Sequence, residues 1–362
     1  MRKQKRNRKW TDRATQTILR KAANKTINYI KEALPTKIKG WKVKRENLAK
    51  VLIASTLTRS TPPRIAEAMD IADQDTTSYQ LRKTNVKACE KLNKTLAREA
   101  VKLVGKGLHL IAIDTTDIPY WGSRDAWTHY SPFKRCYAHR YAVASVLDGV
   151  RRVPITVRPV AKGQFPENIV VTLLEDLESV GIEARLVILD RGYHSAAVIR
   201  ELKERRIAFI IGARKTKRVK KALEAFDEVK GKVYVTRLVV ESRGAEVIRE
   251  EVLLVAWFDG KDWITVLCWG LKPTSAQVYW MRWGVETCIR MLKLPLAKTC
   301  SRSLALRWFL LLVSALLYVV YALFLSCGLV PESYADFLSL LSLVFLLLLV
   351  PRYWLEVLWR WG

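Results

Sequence analysis

Two aspartates close apolar runs: Asp114 follows Leu108-His109-Leu110-Ile111-Ala112-Ile113, and Asp190 follows Ala184–Leu189. Continuous apolar runs of this kind suit strands covered on both faces of a sheet. If the two strands lie side by side and parallel, both carboxylates emerge at the carboxyl edge, where open α/β sheets bind ligands. An acid at a strand end also serves simply to cap the following turn, so each alone says little. A third acid, Glu286, lies in the segment Tyr279–Lys293. At about 100° per residue, Tyr279, Arg282, Glu286 and Lys293 share one helical stripe roughly 60° wide. Such a stripe is a poor core face, although as a solvated face it would be ordinary. Three carboxylates acting together without His or Cys would make a hard oxygen site, suited to Mg2+ or Mn2+ and not to zinc.

The elements that must position these residues follow from periodicity. Strand-like runs are expected at Leu108–Ile113, Tyr141–Leu147, Arg152–Val160, Ala184–Leu189 and Ile207–Ile211, with helices at Asn168–Ser179 and Ser195–Lys203. That alternation indicates a sheet with helices on its faces, hence an α/β fold. Val233–Val240, Glu246–Phe258 and Trp263–Trp269 read as further strands, the last two joined by a turn at Asp259-Gly260. They predict a β-rich subdomain inserted over residues 214–272. Before the sheet, residues 1–104 read as helical. Thr61-Pro62-Pro63 suits a helix start, and Asp75–Lys83 suits a short recognition helix of a helix-turn-helix, with Arg82 and Lys83 towards DNA. Helix pairs of this kind are also common in ordinary bundles.

Charge narrows the partner. The 362 residues carry 62 Lys plus Arg against 34 Asp plus Glu, a net +28, while half are hydrophobic, which excludes a mainly disordered chain. Residues 1–50 hold 17 basic and 3 acidic side chains, a balance of +14. Such an excess favours a polyanion, nucleic acid or an acidic membrane surface. The first forty residues are expected to be a basic arm touching phosphates, the alternative being a solvated tail. The six cysteines form no CxxC pair and the start lacks an apolar signal region, which points to a reducing, cytoplasmic setting. Trp308–Val330 is uncharged over 23 residues, long enough to span a membrane. Ser314, Tyr318, Tyr321 and Ser326 within it favour a buried helix, expected to pack on the catalytic sheet.

The spacing Tyr279-x2-Arg282-x3-Glu286-x6-Lys293 resembles the signature of DDE-class insertion-sequence transposases. Ile113-Asp114-Thr115-Thr116-Asp117 is similar to that family's first-Asp strand, and Val187-Ile188-Leu189-Asp190-Arg191-Gly192-Tyr193 to its second. The resemblance, over about residues 107–326, implies a ribonuclease H-like mixed sheet with a β-rich insertion before the catalytic Glu helix. It implies Asp114, Asp190 and Glu286 as catalytic acids and metal ligands, with two Mg2+ or Mn2+ ions, and Tyr279, Arg282 and Lys293 on the phosphates of the transposon ends. Asp117 competes with Asp114 as first acid; Asp114 is preferred because it directly ends the strand. Residues 1–104 are read as the DNA-binding region from their charge and helix pair, and 327–362 as hydrophobic C-terminal helices; the resemblance itself implies catalytic parts at 105–213 and 273–326 around the insertion. The implied reaction is nicking at element ends and strand transfer into double-stranded target DNA, by a homodimer near the nucleoid. A catalytically silent, transposase-derived DNA-binding protein is the alternative. Trp263, beside the Asp259-Gly260 turn, is the candidate to stack a base extruded from the DNA, where Trp257 and Trp269 would more simply form a local core.

Overall fold

The computed structural model describes residues 13–38, 43–148, 151–227, 229, 232–243, 247–330 and 333–349. These fall into two compact units: one runs from Val104 to Ile289, and the other combines the chain up to Leu103 with residues from Arg290 on.

The helical unit contains α1 (Arg13–Ala33), α2 (Arg45–Thr58), α3 (Pro62–Ala68), α4 (Gln74–Arg82) and α5 (Val86–Val104). Helix α1 is not a free basic arm. Leu19, Ala22, Ala23, Ile27 and Ile30 form one buried stripe between its lysines and arginines, an amphipathic helix in the ordinary sense. Lys25 pairs with the buried Glu99 of α5 at 2.8 Å. Residues 1–12 lie outside the described residues. The predicted helix pair is present: Asp73 caps α4 by accepting from the Thr76 N–H at 2.7 Å. On α4, Asp75, Tyr79 and Arg82 are exposed, while Lys83 turns inward to Gln80 Oε1 at 2.8 Å and the Lys37 carbonyl.

The second unit is built on one nine-stranded sheet. Its elements are β1 (Gly107–Pro119), β2 (Thr128–Ser131), β3 (Cys136–Asp148), β4 (Arg151–Val160), α6 (Pro166–Glu178), β5 (Ile182–Leu189), α7 (Ala196–Glu204), β6 (Ala208–Gly212), α8 (Lys217–Leu223), β7 (Val233–Arg243), β8 (Val247–Phe258) and β9 (Trp263–Trp269). The order is β2-β3-β1-β5-β6-β9-β8-β7, with β4 also on β3. Strands β1, β5 and β6 are mutually parallel, and β3 and β9 flank them antiparallel. The segment expected as a separate inserted subdomain therefore continues the same sheet. Helices α6 and α7 pack against it.

A 3-10 helix, Pro273–Arg282, leads into α9 (Trp283–Lys293). Gly284 lets α9 approach the sheet, since a Cβ there would meet the Leu147 side chain at 2.9 Å. Helix α10 (Leu304–Ser326) and α11 (Tyr334–Leu349) complete the helical unit. Among the described residues, α10 is the one helix long and apolar enough to cross a membrane. Within its unit it packs on α1, α2 and α11. Its buried Ser314 hydroxyl donates to the Leu292 carbonyl.

Candidate active site

The register of β1 and β5 explains why two distant aspartates meet. Ile113 pairs with Leu189 in parallel, so Asp114 and Asp190 are the next residues on adjacent strands. Strand β1 does not stop at Asp114. It continues to Pro119 because β3 goes on pairing with it as far as Ala138. Asp117 is thus still in the strand, not in a turn, and lies opposite Arg140.

That register separates the two candidate first acids. Asp117 accepts two hydrogen bonds from Arg140, at 2.8 and 3.1 Å. Its carboxyl is held below the usual range: burial opposes this, but bonds from Arg140 and Ser131 outweigh it. Asp114 instead faces Asp190 and Glu286. Burial pushes its carboxyl up to about 6, helped by the neighbouring acids and opposed by the Thr115 N–H and Arg282. Asp117→Ala is accordingly expected to leave a half-buried guanidinium unpaired, costing about 2 kcal/mol in urea unfolding, with nicking kept within several-fold. Abolished nicking in that variant, beside an active Asp114→Ala, would make Asp117 the first acid.

Arg282 joins the three acids. Its Nη1 lies 2.6 Å from Glu286, 3.8 Å from Asp114 and 3.9 Å from Asp190. Tyr279 and Arg282 sit in the 3-10 helix, so the 100° arithmetic fails over them. They still share a face, because residues three apart eclipse in a 3-10 helix. Tyr279 fills the space above Gly212, where any Cβ would collide with its hydroxyl, and burial raises its pKa. Lys293 is the last residue of α9, two turns beyond Glu286. Arg82 and Lys83 belong to the helical unit.

Beside Asp190 opens a cavity of about 450 Å3 lined by Arg191, Gly212, Arg214, Lys215, Trp263 and Tyr279, among others, including Arg282. Arg191, Arg214 and Lys215 escaped the sequence reading, although Arg191 directly follows Asp190 and Arg214-Lys215 come just after Ala213 at the carboxyl end of β6. Arg214 braces the turn after Asp190, donating to the Arg191 and Gly192 carbonyls at 2.9 and 2.8 Å. Lys215 pairs with Asp262 at 2.7 Å. The tryptophans separate as well. Trp257 is core and Trp269 stacks on Phe209. Trp263 packs against Phe226, Tyr234 and Phe258 and also walls the cavity.

The donor set is all oxygen, which suits a hard divalent cation. As placed, however, no trio of His, Cys, Asp or Glu among the described residues is gathered to grip one; the acids gather around the guanidinium.

An acidic trio at the carboxyl edge of such a sheet is the frame of a transposase of the DDE type. Residues 105–320 match the family described as the transposase DDE domain, and the chain belongs to it. In three dimensions the chain is similar to the piggyBac transposase in a cryo-EM structure of its synaptic complex with hairpin DNA. The TM-score is 0.54 at 14% identity, over 93% of this chain and 78% of that one, a likeness of fold. A comparison with curated proteins returns no match.

Proposed function

We propose that this transposase is a metal-dependent insertion-sequence enzyme that cleaves element ends and joins them to target DNA. The observation that carries the reading is the meeting of Asp114, Asp190 and Glu286, from three distant segments, around one cationic centre. The strand order β4-β3-β1-β5-β6, with β3 alone antiparallel, supports a ribonuclease H-like catalytic core. The three acids would hold two Mg2+ or Mn2+ ions. Bound there, these supply activation of water or a 3′-hydroxyl and stabilise the leaving oxygen. Tyr279, Arg282 and Lys293 orient the scissile phosphate. Water displaces the 3′-oxygen at the element end, and the freed 3′-hydroxyl then displaces a 3′-oxygen in the target strand. Exposed Arg82 on α4, with Lys83 behind it, would approach the duplex, and two copies would hold the two ends. The test is nicking of DNA carrying the element's flanking repeats, with and without Mg2+. Specific binding without nicking would favour a silent DNA-binding protein instead.

The structural neighbour was captured with hairpin DNA, and a hairpin end forces a base out of the stack. Trp263, half-buried at the cavity wall among Arg191, Arg214 and Lys215, would stack such a base. Base stacking is worth ~1–3 kcal/mol. Trp263→Ala should therefore leave first-strand nicking near normal and depress hairpin formation several-fold, with 2-aminopurine at the terminal base no longer brightening. Equal loss of both steps would show that Trp263 serves only its aromatic cluster.

A further inference from the structure

Arg282 is a largely enclosed cation, its side chain 14% exposed, shared among three acids. One nitrogen, Nη1, serves all three acids, yet only the Glu286 contact is within hydrogen-bond distance. A guanidinium settled in a structural ion pair usually engages a carboxylate with two nitrogens, as Arg140 does with Asp117. In Arg282, by contrast, Nε is buried without a hydrogen-bond partner. Its guanidinium carbon lies 5.4 Å from the Trp283 ring centre and 5.8 Å from that of Tyr279. The same side chain lines the cavity of about 450 Å3 beside Asp190, whose other cations are Arg191, Arg214 and Lys215. A guanidinium and a divalent ion cannot share the space between the same carboxylates without strong repulsion.

Resting on the reading of the acids as a cation site, we propose that Arg282 is their resident counter-ion. It screens Asp114, Asp190 and Glu286 in the ion-free chain and is expelled into the neighbouring cavity when divalent ions enter. There it takes a DNA phosphate. Ion binding and DNA binding then reinforce each other through one side chain, and the coupling is reciprocal. The device keeps the acids neutralised until substrate and ions arrive together.

The test uses the full chain and Mn2+ alone, followed by electron paramagnetic resonance, with a short DNA duplex added in a second series. Without DNA, Arg282→Gln should bind Mn2+ on the order of tenfold more tightly than the wild type, because a competing charge is gone. Duplex should tighten Mn2+ binding in the wild type and have little effect in Arg282→Gln. Phenylglyoxal labelling of the wild type, read by mass spectrometry, needs no variant. Labelling at Arg282 should rise several-fold with Mn2+ and fall again when duplex is added. Unchanged labelling despite bound Mn2+, or equal Mn2+ affinity in a folded Arg282→Gln, overturns the counter-ion role and leaves the acid site standing. Asp190→Asn should lose Mn2+ binding; if it does not, the acid site itself is wrong.

Discussion

Asp190→Ala and Glu286→Ala are each expected to lower nicking by at least ~10^3-fold, the usual scale for losing a member of a cooperating catalytic set. End binding should change little, because these acids face the reacting centre and not the duplex. The Asp114→Asn variant adds a control that a folding defect cannot imitate. Burial holds the Asp114 carboxyl at about 6 in the folded chain, above its value in an unfolded one. A raised folded pKa means that the proton is held more tightly when folded, so stability is full at low pH. It is lost as pH rises from about 4 through about 6. With Asp114 only 16% exposed, two pKa units correspond to a ceiling of about 3 kcal/mol at neutral pH. Asp114→Asn removes that cost, so the inactive protein should melt at a higher temperature than the wild type at pH 7.5, measured without divalent ions. An Asp114→Asn protein that nicks, or one that is inactive and melts earlier, would overturn the assignment.

Leu316→Lys is expected to have the largest effect on folding. Leu316 is fully buried midway along α10, which contacts α1, α2 and α11. An unpaired ammonium there costs more than ~4 kcal/mol, a large part of the net stability of about 5–15 kcal/mol that domains have. Soluble yield should collapse, and any soluble product should lack helical circular dichroism from this unit. Leu316→Met, of similar volume, should cost under ~1.5 kcal/mol. A soluble Leu316→Lys with a wild-type melt would show that α10 is not a core helix. Wild-type protein released from washed membranes only by detergent would favour a spanning helix.

The acids were legible because aspartates closing apolar runs and the Tyr-x2-Arg-x3-Glu spacing are local signals, and the fold merely brings them to one place. Partners were less legible. A continuous apolar helix such as α10 announces burial but not what buries it. In α1 the same problem is reversed: lysines and arginines between Leu19, Ala22, Ala23, Ile27 and Ile30 hide a core helix inside a charged stretch. For β7–β9, alternation identified strands, but no local pattern tells which edge a hairpin will join. Only the pairing of β9 with β6 reveals that they extend the catalytic sheet. The cavity cations Arg191, Arg214 and Lys215 carry no spacing signal at all, because two separate strand ends supply them.

If the three acids form the proposed cutting site, the distance along the chain between them governs when that site can assemble. Asp114 and Asp190 are brought together by β1 and β5, and a ribosome has made both before it starts β6. Glu286 lies 172 positions beyond Asp114, past three antiparallel strands that must find the far edge of the sheet. Contacts of such long range form late, since loop closure must be completed before they stabilise anything. A nascent chain, or one truncated before α9, therefore carries two of the acids and not the third. On the proposed reading of the acids, cutting would wait until α9 reaches the sheet, and the topology itself would act as the safety catch.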